Sequence, residues 1–241
     1  MMRKPLLIVA LIASLVCPAW QQTIVVKHKA SSVGALVQKA NSDSTCTASA
    51  SCSITVTSTG SGHFGVILAV SGTDGEPISS VTTGGTWTCP VAAQHWSNNV
   101  GEEVSGCYIV SLSSGITTIT VNWNGTPALP NGFIFYEYSC TGSCAVSYDT
   151  AGWVDANTSG NPQTSVALSL NGSDDIIDQE IFTNLGKPTG VNSPYGNFVG
   201  PTTYYWGTAD LENTASGTAP TWPVSNSSTI SISAAIAMRL K

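Results

Sequence analysis

The last strand-forming stretch, STISISAAIAMRLK (residues 228–241), decides the fold class. Its apolar residues recur at every second position, which is the period of a β-strand rather than of a helix. One face of this strand carries Ile230, Ile232, Ala234, Ile236, Met238 and Leu240. A strand as apolar as this one is poorly suited to an exposed sheet edge, so we expect it inside a sheet.

Similar alternation recurs along the chain, and a helical period is nearly absent. The strand-like segments are CSITVTS (52–58), HFGVILAV (63–70), CYIVSLS (107–113), ITTITVNW (116–123), GFIFYEYS (132–139) and TSVALSL (164–170). Clusters of Gly, Pro, Asn and Asp separate them, as expected for turns. Many short strands with this spacing predict an all-β protein built as an antiparallel β-sandwich.

The first residues have the layout of a secretory signal peptide. Basic Arg3 and Lys4 precede an apolar run of about 11 residues, which is shorter than the roughly 20 needed to span a bilayer. Cleavage after Ala19 would release the chain to the extracellular space. No internal repeat is evident, so we predict a signal peptide over 1–19 and a single β-sandwich domain over 20–241.

Cysteine usage supports export, because six cysteines remain after the predicted signal peptide and disulfides persist in oxidising compartments. Six cysteines allow 15 pairings, and the sequence does not choose among them. Pairing of sequence neighbours is the simplest arrangement and would pin short loops: Cys46 with Cys52, Cys89 with Cys107, and Cys140 with Cys144. The zinc patterns that combine cysteine with nearby histidine are absent.

Composition limits the partners. Only 9% of the residues are charged, and the formal net charge is −6 at pH 7. Because there is no basic patch, we expect no nucleic-acid partner. No apolar run after the signal peptide is long enough to span a membrane.

Calcium is a candidate cofactor, because oxygen ligands lie in two turns, SGTDGEP (71–77) and NGSDD (171–175). The acidic residues of these turns are Asp74, Glu76, Asp174 and Asp175. Asp and Gly favour turns for conformational reasons alone. That simpler interpretation is preferred, and the sequence predicts no required cofactor.

Five further stretches carry a resemblance: ALVQKA (35–40), GVILAVSG (65–72), ISSVTTGGTWTC (78–89), FYEYS (135–139) and AAIAMRLK (234–241). In this order they resemble a widespread β-sandwich domain of secreted and surface proteins from bacteria and phages. The resemblance implies a jelly-roll or immunoglobulin-like sandwich with disulfide-pinned loops. It brings no catalytic residues with it, because a fold does not specify a function.

The stretch GTWTCPVAAQHWSNNVGEEVSGC (85–107) is predicted to be a disulfide-pinned hairpin with His95 and Trp96 as ligand-binding residues at its tip. Restrained aromatic rings stack on a sugar face at little ordering cost. Trp87 is expected to pack in the core, and adjacent Glu102 and Glu103 should face opposite ways on a strand.

A second group of aromatic residues lies in the polar stretches PTTYYWGTADLENT (201–214) and APTWPVSNSS (219–228). Tyr204, Trp206 and Trp222 are its candidate ligand-binding residues, because sugars stack on rings while polar side chains bind their hydroxyls. The stretch looks loop-like, so these rings are expected to be exposed.

Three functions follow, in order of preference. The first is a secreted, non-catalytic module that binds a polysaccharide or cell-surface polymer, and the second is a structural surface protein that self-associates. The third is a glycoside hydrolase that uses Glu137 together with Asp178 or Glu180, since that chemistry needs two carboxyl groups about 5–10 Å apart. No complete catalytic set is visible, so we predict that the protein is not an enzyme.

Overall fold

The computed structural model describes residues 33–42, 46, 48–72, 76–141, 145–156, 159–200, 205–227 and 229–241. The predicted signal peptide lies outside these residues. The assignment of 20–241 to a single domain stays a prediction, because the described chain begins at Val33.

The described residues form 15 β-strands and one 3₁₀ turn, and they contain no α-helix. In chain order the elements are β1 (Val33–Asn41), β2 (Ser51–Thr55), β3 (Phe64–Gly72), β4 (Ile78–Val81), the 3₁₀ turn (Val91–Ala93), β5 (Gln94–Ser97), β6 (Glu102–Ile109), β7 (Thr118–Trp123), β8 (Ala128–Thr141), β9 (Val146–Ala156), β10 (Gln163–Thr164), β11 (Asp175–Thr183), β12 (Gly196–Val199), β13 (Trp206–Thr214), β14 (Thr221–Trp222) and β15 (Ser231–Leu240). All their strand pairings are antiparallel. The all-β antiparallel prediction is confirmed.

The two halves of the chain repeat one topology. The N-terminal half forms a five-stranded sheet of order β1-β8-β3-β6-β5, and the C-terminal half forms one of order β9-β15-β11-β13-β12. Within each half, the first strand pairs with the last, and a short edge strand pairs with its chain successor. A small sheet, β2-β7-β4, completes the first half, and β10-β14 holds the same place in the second.

This arrangement is a jelly roll, with strand orders 1-8-3-6 and 2-7-4 in the first half. The fifth strand, β5, is moved from the small sheet to the edge of the large one. The second half repeats the order, and a bridge between Pro188 and Val224 stands where β4 pairs with β7. A strand order needs only suitable alternation and turns, so it repeats without a visible sequence repeat.

Three hydrophobic cores separate the layers. The large sheets face each other across the first core, where β3 residues such as Leu68 meet β15 residues such as Ile236. The second core lies between the first large sheet and β2-β7-β4. The third core covers the outer face of the second large sheet and includes Leu168 and Trp222. Both faces of both large sheets therefore pack against other layers.

The last strand behaves as its pattern predicts. β15 lies between β11 and β9, so it is not an edge strand. Its predicted apolar face lies in the first core, from Ile232 to Leu240 at alternate positions. The intervening Ala235 and Ala237 pack in the third core, which explains why the opposite face is apolar as well.

One predicted strand, TSVALSL (164–170), is largely wrong. Only Thr164 belongs to a strand, and residues 165–170 have no regular ladder. Val166, Leu168 and Leu170 still pack in or against the third core, and the Leu168 amide donates to the Gly217 carbonyl at 2.8 Å. The alternation of apolar residues therefore indicates that one face of the segment is buried. An irregular segment that covers a core shows the same alternation as a strand.

Disulfides pin two loops as expected, Cys46 with Cys52 and Cys89 with Cys107. The second closes the segment that carries the β5–β6 hairpin. Cys140 is also disulfide-bonded. Its predicted partner, Cys144, lies outside the described residues.

Candidate ligand-binding surface

An exposed aromatic stack lies where the two halves meet. β5, at the edge of the first large sheet, contacts β9, at the edge of the second. The imidazole of His95 on β5 stacks on the indole of Trp153 on β9, with ring centroids 3.4 Å apart and planes 2° apart. Trp153 is 44% exposed although its ring is held in place. The structure thus presents a pre-ordered ring to solvent.

Polar groups flank this stack. The Asp155 carboxylate lies 3.8 Å from His95 Nε2 and accepts a hydrogen bond of 3.3 Å from the Asn99 side-chain amide. The other oxygen of Asp155, Oδ1, is buried and has no hydrogen-bond partner in the described structure. We call Trp153, His95, Asp155 and Asn99 the Trp153 site.

The surroundings of His95 favour the neutral form of its imidazole. Burial lowers the pKa of His95 below its usual value, and the nearby Asp155 carboxylate opposes this only in part. The contact with Trp153 is therefore a stack of two neutral rings rather than a cation–π pair. The only full charge of the Trp153 site is the Asp155 carboxylate, so the site is weakly acidic.

Trp96 does not join the Trp153 site. It follows His95 on β5, so its side chain faces the opposite side of the sheet, where its cross-strand neighbour is Glu103. Trp96 is half-buried, and its indole donates to Asn98 Oδ1 at 3.1 Å. The prediction of a single projection that presents both His95 and Trp96 is wrong, because strand alternation separates them.

The two glutamates of the hairpin are successive residues of β6 and pair with different neighbours, Glu102 with Ser97 and Glu103 with Trp96. Burial raises the pKa of Glu102 to about 8 and that of Glu103 to about 7. Because successive residues of a strand face opposite sides, the two glutamates do not form a cooperating pair, and this agrees with the prediction from their adjacency.

The late aromatic group is not an exposed platform. Trp206 and Trp222 are 1% and 0% exposed, in the first and third cores respectively. The expected exposure of these two rings is wrong, because Trp206 points into the core between the large sheets and Trp222 points inward from the small β10-β14 sheet. Tyr204 lies outside the described residues. Tyr205 is 46% exposed.

Trp87 lies where the sequence predicts, packed against the second core. Its indole donates to the Thr83 carbonyl at 2.6 Å, and its ring meets Phe135 edge-on at a centroid distance of 6.4 Å.

Sequence reasoning missed Trp153 and Asp155. They lie in VSYDTAGWVDA (146–156), where apolar and polar residues alternate too weakly to predict a strand. A usable signal was the spacing of the two residues, since positions i and i+2 of a strand share a face.

Glu137 is a structural group rather than a surface acid. It is 0% exposed, and its carboxylate accepts hydrogen bonds from the Gly60 amide (2.9 Å), from His63 Nδ1 (2.5 Å) and from the Gln38 side-chain amide. Its strand neighbours on the same face, such as Phe135, belong to the second core.

Glu137→Gln is expected to lower the free energy of unfolding by about 3 kcal/mol. It replaces a buried carboxylate that accepts three hydrogen bonds with an amide that cannot accept all of them. The matched variant Glu76→Gln should cost much less, since Glu76 is half-buried and its Oε2 has no partner in the described structure. Urea unfolding of both variants measures the difference. Equal stability of the two variants would contradict this role for Glu137.

The carboxyl groups proposed as partners of Glu137 lie in a different layer. Asp178 and its cross-strand partner Asp210 flank the Tyr138 hydroxyl, which is 2.6 Å from Asp178 Oδ1 and 3.0 Å from Asp210 Oδ2. Tyr138 follows Glu137 on β8 and therefore points to the opposite face. Glu180 is also fully buried. The structure does not bring Glu137 together with either predicted partner.

Burial governs the chemistry of this internal acidic group. It raises the pKa of Asp178, Asp210 and Glu180, and for Asp178 the neighbouring Asp210 charge adds to the effect. Neither carboxyl oxygen of Glu180 makes a well-formed hydrogen bond in the described structure, although the Ser105 amide lies close enough to oppose the rise of its pKa in part. A site that water and substrate do not reach has no access to a glycosidic bond.

The turns considered for calcium remain without a ligand cluster. Among the described residues, no group of three or more His, Cys, Asp or Glu side chains is arranged to hold a metal ion. Asp175 is fully buried in β11, where burial raises its pKa to about 7 and neighbouring Asp149 adds to the effect. Asp74 lies outside the described residues. In the described part of the chain, no helix has the length and apolarity needed to cross a membrane.

The opposite seam between the halves has a different character. There β1 of the first half meets β12 of the second, and Lys39 Nζ donates to the Asn197 carbonyl at 2.7 Å. A cavity of about 360 Å³ lies beside this contact, lined by Lys39, Asn41, Phe198 and Val199 among others. No ring stack is found at this seam among the described residues. The two seams have equivalent places in the repeated topology, so one serves as a control for the other.

Comparison with known proteins gives no match: no protein family, no curated protein and no solved structure is similar to this chain. The resemblance to secreted and surface β-sandwich domains therefore stays a prediction. What the molecule does has to be inferred from its own surface.

Proposed function

We propose that this protein is a secreted, non-catalytic module that binds a neutral polysaccharide through the Trp153 site. The observation that carries the proposal is the exposed indole of Trp153, held flat against His95 with its rings 3.4 Å apart. A ring fixed before binding loses little conformational entropy when a ligand stacks on it. Two disulfides and the predicted signal peptide support an extracellular location.

The chemistry around the ring favours a sugar. The C–H face of a pyranose stacks on an aromatic ring, while its hydroxyls need donors and acceptors at the rim. The Asp155 side chain is 16% exposed and supplies a carboxylate acceptor, and the Asn99 side-chain amide lies next to it. The site therefore matches a ligand that is apolar on one face and rich in hydroxyl groups at its edge.

Charge narrows the class of polysaccharide. The chain carries a formal net charge of −6 at pH 7, and the only full charge of the Trp153 site is the Asp155 carboxylate. Anionic polymers such as polyuronates would be repelled by both. Neutral polymers such as cellulose, chitin and β-1,3-glucan are the favoured ligands.

The experiment is a retention assay of the secreted protein on insoluble cellulose, chitin, β-1,3-glucan and an anionic control, pectate, with and without calcium. We expect retention on at least one neutral polymer, and release by its soluble oligosaccharides. Size-exclusion chromatography at several concentrations runs in parallel. Concentration-dependent assembly with no retention on any polymer would overturn the proposal and favour a self-associating structural protein.

A further inference from the structure

A second aromatic stack lies on the same strand as Trp153. Tyr148 of β9 stacks on Tyr108 of β6, with centroids 5.1 Å apart and planes 11° apart. Both tyrosines are half-buried. As at Trp153, a ring from the second half lies on a ring from the first half. β9 thus carries two ring stacks along the seam.

The distance between the stacks exceeds the size of one sugar. Tyr148 and Trp153 are five residues apart on a strand that rises about 3.3 Å per residue, and a bulge near Tyr148 shortens the path to roughly 13–16 Å. A pyranose ring with its glycosidic oxygen spans about 5 Å, given bond lengths near 1.5 Å. Two or three sugar units would therefore separate the two stacks.

The seam along β9 offers further groups besides the two stacks. The 3₁₀ turn (Val91–Ala93) contacts β9, and Val91 is 82% exposed. β9 pairs only with β15 in the described structure, so its outer edge offers backbone N–H and C=O groups. An apolar side chain and a row of backbone donors and acceptors fit the faces and hydroxyls of successive sugars.

From this geometry we infer that the seam along β9 binds an extended, linear glycan of four or more sugars, stacked at Trp153 and Tyr148, rather than a single terminal sugar. This inference rests on the proposed function of the Trp153 site. It adds Tyr148, Tyr108 and Val91 to the binding surface.

The test is isothermal titration with the cello-oligosaccharide and chito-oligosaccharide series of two to six units. We expect affinity to rise about tenfold between two and five units and then to level off. Tyr148→Ala should remove this rise and leave the affinity for the disaccharide unchanged. Val91→Arg changes an exposed side chain that contributes little to the core. It should also weaken the binding of only the longer oligomers, because the larger side chain would block the path between the stacks.

The outcomes separate the two claims. Equal affinity for short and long oligomers, together with unchanged binding in both variants, would overturn the extended site while leaving the Trp153 site in place. No binding of any oligomer, together with no retention on any of the three neutral polymers, would overturn both. Thermal unfolding of Tyr148→Ala shows whether it is folded, and Val91→Arg carries the test if it is not.

Discussion

Trp153→Ala is expected to weaken binding of the retained polysaccharide by at least about 30-fold, which corresponds to the roughly 2 kcal/mol typical of a central aromatic residue in a binding site. The reason is that the variant removes the one exposed ring of the Trp153 site and leaves His95 without its stacking partner. His95→Ala should weaken binding less, because it frees the indole to move without removing it. Affinity measured by depletion on the polymer checks both.

Two controls make this prediction specific. Tyr205→Ala removes another exposed aromatic ring, at a place away from β9, and Lys39→Met changes the equivalent seam of the repeated topology. Both should bind as the unchanged protein does. Loss of binding in the controls as well would show that docking of the halves, rather than the ring, is what matters.

The second large effect is on stability, which should fall as the pH rises from about 5 to 9. Burial raises the pKa of several carboxyl groups: Glu102, Glu103, Asp175, Asp178, Glu180 and Asp210. The folded state thus keeps protons that the unfolded chain has already lost, and stability falls with pH wherever that holds. For Glu103, a pKa of about 7 in place of 4.5 corresponds to about 3 kcal/mol at most.

Glu180→Gln isolates one of these groups. The neutral amide resembles the protonated acid, so the variant should be close in stability to the unchanged protein at pH 5. At pH 9 it should be more stable by about 2 kcal/mol, because the variant no longer has to bury a charge that lacks a well-formed hydrogen bond. Denaturant unfolding at both pH values measures this. A variant less stable at pH 9 than the unchanged protein would show that the Glu180 carboxylate is stabilised by the fold.

The sequence predicts a strand well where one face is apolar, whichever strands it pairs with. The last strand shows this, since Ile232, Ile236 and Met238 line the first core as their spacing requires. The same pattern is ambiguous over residues 165–170. This segment packs Leu168 in the third core, so its apolar residues alternate, but it does not form a β-ladder with a neighbouring strand.

Exposure of aromatic residues is harder to predict, because it depends on the number of layers. Trp206 and Trp222 stand among polar residues, yet both are buried. Trp206 lies in the first core between the large sheets, and Trp222 lies in the third core, on a sheet face that a two-layer sandwich would leave in water. Trp153 is exposed for the converse reason, because β9 is an edge strand at the seam of the two halves. Burial and exposure of these rings depend on how distant strands are arranged, so the residues around each tryptophan do not predict them.

The most direct measurement is a ¹H–¹⁵N spectrum of the indole N–H groups, titrated with a soluble oligosaccharide of the retained polymer. The chain has seven tryptophans, and Trp153→Phe assigns the signal of interest. The proposal predicts that the Trp153 signal moves first and furthest, while the signals of buried Trp206 and Trp222 stay in place. Movement of other indole signals with that of Trp153 unchanged would contradict it.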